Sequence, residues 1–162
     1  MKIDKRIVLI LVLVLCLPAW SQKGLTAGEI VVGSCSALQG PASALGTETI
    51  LGARAYFNLV NEHGGVNGRK LRLVSYDDSY EPEKTIACVN KLLQEDDVFS
   101  LGFFVGTPTG AKAAPMAETH KVPIVGFFTG AELLRTPVKH YVVNVRASYY
   151  NEARTMVDNL VP

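Results

Sequence analysis

The sequence predicts an α/β protein with an open parallel sheet and helices on both faces. Two observations predict it. Short apolar runs alternate with longer segments whose apolar residues recur at spacings of three and four, as strands alternate with helices. The connections between the first four strands are also long enough to hold helices, and such crossovers join parallel strands. The loops after the strands then share the carboxyl edge of the sheet, where these sheets bind ligands.

The predicted elements are, in order, strand 29–33, loop 34–46, helix 47–63, strand 70–76, loop 77–81, a helix that begins at Pro82, strand 101–105, loop 106–109, helix 109–120, strand 122–125, loop 126–131, strand 141–145 and helix 149–160. The first two helices have apolar faces with helical spacing, formed by Ile50, Ala53, Phe57 and Val60 and by Ile86, Val89, Leu92 and Leu93. Gly64 and Gly65 end the first helix. Leucines at 71 and 73 suggest a strand near a sheet edge. Pro115 interrupts the third helical segment, where we expect a kink or a late start.

Two of the strand-to-helix loops carry glycine and threonine. Residues 106–110 (GTPTG) follow one apolar strand and residues 126–130 (GFFTG) follow the next. A threonine at a helix start accepts hydrogen bonds from free backbone N–H groups, and that end of the helix carries a partial positive charge. Such ends attract carboxylates and phosphates. We therefore predict a ligand site at this pair of loops.

The composition and the first residues narrow the function. The 162-residue chain has 48% hydrophobic and 19% charged residues, which is typical of one globular domain, and its net charge of +1 without a basic run argues against a nucleic-acid partner. Basic residues precede an apolar run at 7–17, and residues 19–21 fit a small-x-small cleavage site. We expect a secretory signal at 1–21 and a mature chain that begins near Gln22, with an uncleaved membrane anchor as the alternative. Cys16 does not predict lipidation, because a leucine precedes it where a lipoprotein signal needs a small residue.

Export would place Cys35 and Cys88 in an oxidising compartment. They could pair there, which requires the first loop to touch the second helix, or they could remain free buried thiols.

The sequence offers little for catalysis or for a cofactor. Residues 106–112 (GTPTGAK) are similar to a phosphate-binding P-loop, but the spacing is one residue short and no Ser or Thr follows the lysine. The histidines share no metal-ligand spacing with one another or with the cysteines. Asp77 and Asp78 could form an acid/base pair or ligate a metal, but a carboxylate pair before a helix is also typical of capping. We therefore expect no catalytic residue, no metal and no cofactor.

Several blocks of sequence together carry a resemblance to a known family. They are QGPASALG, GARAYFNLVNEHGGVNGRKLRLVSYDD, VGTPT, KVPIVGFFTGAELLR and VNVRASYYNEA. In this order and spacing they resemble the periplasmic substrate-binding proteins of ABC transporters for branched-chain amino acids, the leucine-binding group, which has the type I periplasmic binding fold. The match runs from about Glu29 to the end of the sequence.

The resemblance implies a site in the loops after the third and fourth strands, where hydroxyl and backbone groups hold the ligand's α-carboxylate and α-ammonium. The residues carried over by position are Gly106, Thr107, Thr109, Phe127 and Thr129. Either Thr107 or Thr109 occupies the hydroxyl position of the first loop. Tyr80 and Tyr149 are candidates for the pocket rim, with ordinary packing as the alternative. Leu45 stands where leucine-binding members carry a tyrosine, which is a departure from the leucine-type pocket.

The resemblance also implies a function. It implies a non-enzymatic solute-binding component of an ABC uptake transporter, located in the periplasm, that binds an amino acid or similar small carboxylate and meets a membrane permease. Family members enclose the ligand between two lobes, so we expect residues 28–162 to be the amino-terminal lobe without the second one, and by themselves to bind the ligand very weakly or not at all. The alternatives are a ligand-sensing receptor ectodomain and, less in keeping with the sequence, a phosphate-binding open-sheet enzyme.

Overall fold

The computed structural model of the protein describes residues 22–160, so the signal expected at 1–21 lies outside the described residues. The strands are β1 (Glu29–Ser36), β2 (Lys70–Asp77), β3 (Ser100–Gly102), β4 (Ile124–Val125) and β5 (Val142–Val143). The helices are α1 (Ser43–Glu62), α2 (Pro82–Gln94), α3 (Thr107–His120) and α4 (Tyr149–Leu160), and a short 3-10 helix spans Glu132–Leu134. None of the helices in this part of the chain is long and apolar enough to cross a membrane.

The five strands form one parallel sheet in the order β2-β1-β3-β4-β5. The predicted fold class is therefore confirmed, and β2 lies at an edge of the sheet as its sequence indicates. Helices α1, α2 and α3 fill the first three crossovers, whereas the connection from β4 to β5 holds only the 3-10 helix. Each of the four loops that follow β1, β2, β3 and β4 leads into a helical element. All four loops lie at the carboxyl edge of the sheet.

The two faces of the sheet are covered by different helices. Gly33 of β1 faces α2, because a Cβ on it would lie 2.9 Å from Val98 and 3.0 Å from Leu92. Helices α2 and α3 pack together on this face. The buried core beneath them includes Val89, Leu92, Leu101, Phe104, Ala113, Ala117 and Ile124. Helix α1 covers part of the other face, where Arg54 donates a hydrogen bond to the hydroxyl of Ser75 (2.9 Å).

Several predicted boundaries are wrong. Strand β1 continues to Ser36 and α1 begins at Ser43, so the loop predicted at 34–46 is reduced to residues 37–42. Helix α3 begins at Thr107 rather than at residue 109. It runs through Pro115 as one helix, because that proline removes a single hydrogen bond while the rest of the helix remains packed on the core.

The last three strands are shorter than predicted. Strand β3 ends at Gly102 because Phe103 adopts a φ of 62°, which is outside the extended region. Strand β4 ends before Gly126, whose φ is 70°. Beyond these ends, an isolated parallel bridge joins Val105 to Phe128.

A disulfide joins the end of β1 to α2. Cys35 and Cys88 are bonded through their sulfur atoms, with Cα atoms 6.1 Å apart, and both residues are buried. The sequence leaves open whether these cysteines form a disulfide or remain free thiols, and in the structure they form the disulfide. The bond fixes α2 against the strand that precedes the loop at 37–42.

Candidate functional site

Three hydroxyl groups meet at the carboxyl edge of the sheet. Oγ1 of Thr107 lies 2.8 Å from Oγ1 of Thr129, which lies 3.1 Å from the hydroxyl oxygen of Tyr149. These three residues are called the hydroxyl cluster below. They follow β3, β4 and β5, which are neighbouring strands, so the sheet order brings them together. The structure thus unites three residues that the sequence proposes for the site.

Each member of the hydroxyl cluster is placed by the helical element that follows its strand. Thr107 is the first residue of α3, whose first turn leaves backbone N–H groups without an intrahelical acceptor. Thr129 accepts a hydrogen bond from the N–H of Ala131 (3.2 Å), just before the 3-10 helix. Tyr149 is the first residue of α4, and its N–H donates to the carbonyl of Gly130 (2.8 Å). Three helical elements therefore begin around the cluster.

The three hydroxyls differ in accessibility. Thr129 is 1% exposed, and its hydroxyl already contacts Thr107, Tyr149 and the N–H of Ala131. Thr107 is half-buried, and Tyr149 is 47% exposed. Thr129 therefore lies behind the other two, and Thr107 and Tyr149 are the groups that a solute can reach.

Gly106 and Tyr80 shape the loop that presents Thr107. Gly106 has a φ of 107°, and a Cβ on it would lie 2.5 Å from the ring of Tyr80. A side chain at position 106 is therefore excluded both by the backbone conformation and by the ring. Tyr80 itself has a φ of 64°, which is uncommon for a residue with a side chain. Its partly exposed ring packs on the loop next to the hydroxyl cluster.

The structure does not bring the side chains of Thr109 and Phe127 to the hydroxyl cluster. Thr109 is fully buried, and its hydroxyl donates to the carbonyl of Val105 (2.6 Å) inside the start of α3. The ring of Phe127 lies in the core, with its centroid 6.0 Å from that of Phe104. Of the two alternatives for the first-loop hydroxyl, the geometry favours Thr107.

Two residues that lie beside the hydroxyl cluster were not among the site residues predicted from the sequence. The guanidinium carbon of Arg146 lies 5.2 Å from the ring centroid of Tyr149 and 5.6 Å from that of Phe128. Both distances are within the range of a cation–π interaction. Phe128 and Arg146 follow β4 and β5 at the same edge as Thr129. The rule that selected Thr129 could therefore have selected them, had it not been restricted to small and hydroxyl residues.

Arg146, which forms an ion pair with Glu152, also acts electrostatically on Tyr149. The hydrogen bond with Thr129 lowers the pKa of Tyr149; partial burial opposes this shift, and the charge of Arg146 adds to it. The pKa of Arg146 is raised by its hydrogen bonds to Glu152. A cation therefore stands beside the exposed hydroxyl of the cluster over the whole physiological pH range.

Asp77 and Asp78 organise the loop after β2. Asp77 accepts a hydrogen bond from the N–H of Leu38 (2.7 Å), and Asp78 accepts from the N–H of Tyr80 (3.0 Å) and from the hydroxyl of Thr85 (2.9 Å). Asp77 therefore ties the loop after β2 to the loop after β1, and Asp78 connects its own loop to α2. Neither carboxylate caps α2, because the N-cap residue of that helix is Glu81, which makes no side-chain capping hydrogen bond. Within residues 22–160, no group of three or more His, Cys, Asp or Glu residues is arranged to hold a metal ion.

Residues 106–112 do not adopt a P-loop arrangement. Most of this segment is already the first part of α3, and the ammonium of Lys112 pairs with the carboxylate of Glu83 on α2 at 3.2 Å. The lysine therefore lies on the helix surface against α2 and does not turn back toward the loop.

An open apolar groove of about 600 Å³ lies next to Phe128 and Arg146. It lies on the face of the sheet that carries α1, beside that helix and over β3 and β4. Its lining includes Thr49, Phe57, Gly102, Val125, Phe128 and Arg146. Phe128 and Arg146 thus belong both to the groove and to the surroundings of the cluster.

A family model and curated relatives match this chain. The family model, described as periplasmic binding protein, matches residues 29–161. The Leu/Ile/Val-binding protein of Escherichia coli K12 is 30% identical over 83 residues, which cover 51% of this chain and 23% of that protein. The leucine-specific-binding protein of Salmonella typhimurium is 31% identical over 87 residues, which cover 54% of this chain and 24% of that protein. The aligned part of the chain thus spans only about a quarter of these relatives.

Solved structures with the same fold are also longer than this chain. A possible leucine/isoleucine/valine-binding protein from Rhodopirellula baltica is 36% identical with a TM-score of 0.77, and the match covers 88% of this chain and 37% of that one. A substrate-binding periplasmic protein from Ralstonia solanacearum is 32% identical with a TM-score of 0.74, and the match covers 82% of this chain and 38% of that one.

Proposed function

The chain belongs to the periplasmic binding protein family, and on that premise we propose that it acts in the solute-binding component of an ABC uptake transporter. The observation that carries the proposal is the hydroxyl cluster, which three neighbouring strands present at the carboxyl edge of the sheet. The names of its curated relatives describe proteins that bind leucine, isoleucine or valine. These relatives support a small solute that carries a carboxylate.

The chemistry of the edge suits a carboxylate. Thr107 can donate its hydroxyl, and the N–H groups in the first turn of α3 lie beside it. Tyr149 offers a second hydroxyl, and Thr129 holds both in place from behind. Gly106 and Tyr80 would form the adjacent wall of the site. In this proposal residues 28–162 supply one wall of the binding site, and the solute then passes to a membrane permease.

We include export in the proposal. The basic residues and apolar run before residue 21 support a signal peptide that is removed near Gln22, and the disulfide between Cys35 and Cys88 fits an oxidising compartment. The working location of the protein would then be the periplasm.

Replacement of Thr107 by valine tests the site. Valine keeps the shape of threonine but removes the hydroxyl, so we expect carboxylate binding to weaken by on the order of 1.5–3 kcal/mol. The measurement is a ligand-observed NMR titration of the mature chain with leucine, 4-methylpentanoate and the uncharged 4-methylpentanamide, a method that detects millimolar affinities. The matched control is Thr119→Val, because Thr119 is exposed in the last turn of the same helix and its hydroxyl donates to the carbonyl of Pro115.

Two results decide the proposal. It is supported if at least one of the two acids binds, the amide does not, and Thr107→Val weakens the acid while Thr119→Val does not. Equal binding of acid and amide, or an acid affinity that Thr107→Val leaves unchanged, would overturn it.

A further inference from the structure

Arg135 connects the 3-10 helix to the segment that precedes α4. It follows the 3-10 helix directly and is half-buried. Its Nη1 donates a hydrogen bond to the side-chain oxygen of Asn144 (2.8 Å), and its Nη2 donates to the carbonyls of Arg146 and Ala147. The side-chain nitrogen of Asn144 in turn donates to the last carbonyl of the 3-10 helix (3.0 Å). Residues 144–148, called the β5–α4 loop below, are thus tied to the 3-10 helix.

Gly130 contacts the other end of this loop. The N–H of Tyr149 donates to the carbonyl of Gly130 (2.8 Å). A Cβ on Gly130 would lie 2.7 Å from the ring of Tyr149 and 2.9 Å from the carbonyl oxygen of Ala147. The loop and the tyrosine ring therefore pack directly on the backbone next to Thr129, and the hydroxyl oxygen of Tyr149 lies 3.1 Å from that of Thr129.

The contacts of Arg135 depend on the shape of its guanidinium group. Within residues 22–160, Arg135 is the only residue whose side chain hydrogen-bonds to the backbone of the β5–α4 loop. A guanidinium group presents its donors in a rigid plane, so it can bind a side-chain oxygen and two carbonyls at once. Lysine has the same charge, but its compact ammonium group on a flexible stem cannot reproduce this planar geometry.

From these contacts we infer that Arg135 is a positioning residue of the solute site: it fixes the β5–α4 loop against the 3-10 helix and thereby holds the hydroxyl of Tyr149 in the hydroxyl cluster. The inference rests on the proposed function and adds a residue that lies outside the cluster. In the described part of the chain, Arg135 makes no hydrogen bond to a member of the cluster, so it acts through the backbone of the loop. Its replacement is expected to leave the chain folded and to release Tyr149 from Thr129.

The ionisation of Tyr149 measures its position without a bound solute. The hydrogen bond with Thr129 favours the ionised form and lowers the pKa of Tyr149. NMR measures this pKa in a chain whose tyrosines carry an isotope-labelled carbon at Cζ, and Tyr149→Phe assigns the signal. We expect Arg135→Lys, which keeps the positive charge, to raise the pKa of Tyr149 toward that of an ordinary tyrosine. Thr129→Val removes the partner hydroxyl itself and sets the size of the full effect.

Amide hydrogen exchange separates this local effect from a general loss of stability. In Arg135→Lys the N–H of Tyr149 should exchange roughly tenfold faster or more, because the loop no longer holds it on the carbonyl of Gly130. The N–H of Gly110 donates to the carbonyl of Gly106 (3.1 Å) in the first turn of α3, and it should exchange as in the parent.

Two further variants test whether the contact or the charge matters. Asn144→Ala removes one partner of Arg135 without changing any charge, and it should shift both readouts in the same direction by a smaller amount. Lys139→Gln is the control, because the ammonium of Lys139 donates to the carbonyls of Leu133 and Pro137 and not to the β5–α4 loop. It should leave both readouts unchanged. Circular dichroism checks that each variant is folded, and Asn144→Ala decides the test if Arg135→Lys is not.

The outcomes distinguish this inference from the proposed function. A folded variant in which the pKa and the amide exchange of Tyr149 match those of the parent would overturn the inference and leave the proposed function standing. Equal acceleration of exchange at Tyr149 and Gly110 would also overturn it, because the effect would then be general. The proposed function is tested separately by the titration with acid and amide. Its failure there would remove the site that Arg135 positions, and the inference with it.

Discussion

At the scale of single residues, neighbouring carboxylates show how the fold assigns different roles to identical side chains. Asp77 is partly buried, which alone would raise its pKa, but hydrogen bonds from Ser79, Leu38 and Gln39 outweigh this and lower it. Asp78 points into the protein, and there burial dominates and raises its pKa despite hydrogen bonds from Tyr80 and Thr85. Folding therefore lowers the pKa of one carboxyl group and raises that of the next.

Asp78→Asn is expected to stabilise the chain above neutral pH. Because the folded-state pKa of Asp78 is raised, the stability that this group contributes is fully present below its unfolded-state pKa and is lost as the pH rises through the folded-state value. Asparagine stays neutral at every pH. Its side-chain oxygen can accept a hydrogen bond from the N–H of Tyr80, and its NH₂ group can donate one to the hydroxyl of Thr85. Urea unfolding at pH 4 and pH 8 measures the effect.

The expected result is an advantage of Asp78→Asn over the parent that is larger at pH 8 than at pH 4. Asp158→Asn is the control, since Asp158 is exposed on α4 and its side chain makes no hydrogen bond among the described residues. An advantage that does not change with pH would show that the ionisation of Asp78 is not the cause.

At the scale of elements, the two glycines of α1 have opposite requirements. Gly46 lies in the first turn, and a Cβ on it would lie 1.8 Å from the carbonyl oxygen of Ala37. The start of α1 thus packs directly on the backbone of the loop after β1. Gly52 lies further along the same helix, and a Cβ on it would meet nothing within 4 Å. Only the first glycine is required by close packing.

Alanine substitution at these two positions should therefore change stability in opposite directions. Gly46→Ala forces α1 away from the loop and is expected to destabilise the chain by about 1–3 kcal/mol or more. Gly52→Ala improves helix propensity at an exposed position and is expected to stabilise it by about 0.5–1 kcal/mol. Urea unfolding of the two variants beside the parent measures both, and each serves as the control for the other. Equal effects would mean that the contact with Ala37 does not limit position 46.

Elements with strong apolar periodicity were predictable from the sequence, and those defined by contacts between distant residues were not. The faces of α1 and α2 follow helical spacing, so the sequence predicted both helices. The end of β3 depends on Phe103, whose ring packs edge-on against Phe57 of α1 at 5.8 Å. Within the site, Thr107 and Thr129 were found because glycine and threonine mark helix starts. The position of Arg146 after β5 was also readable from the sequence, but its contacts with the rings of Tyr149 and Phe128 were not, because they depend on the fold.

At the scale of the whole molecule, the sheet is covered unequally. Helices α2 and α3 bury one face, whereas α1 leaves β4 and β5 uncovered on the other. The exposed apolar side chains of this region are Val125, Phe128, Val143 and Val145. Helix α4 has no buried residue, and its exposed apolar side chains include Met156, Val157 and Leu160. Contiguous exposed apolar surface of this kind favours association.

We expect the mature chain to self-associate reversibly as its concentration rises, with the uncovered sheet face as the main contact. The double variant Val125→Thr/Val143→Thr keeps the β-branched shape that strands favour but makes that face polar, so it should weaken self-association by on the order of tenfold or more. Leu51→Gln is the control, because Leu51 is 60% exposed on α1 and is not part of the groove lining. Sedimentation velocity over a concentration series measures the association of all three chains. A parent chain that stays monomeric throughout the series, or an equal loss of association in Leu51→Gln, would show that the uncovered face of β4 and β5 does not drive assembly.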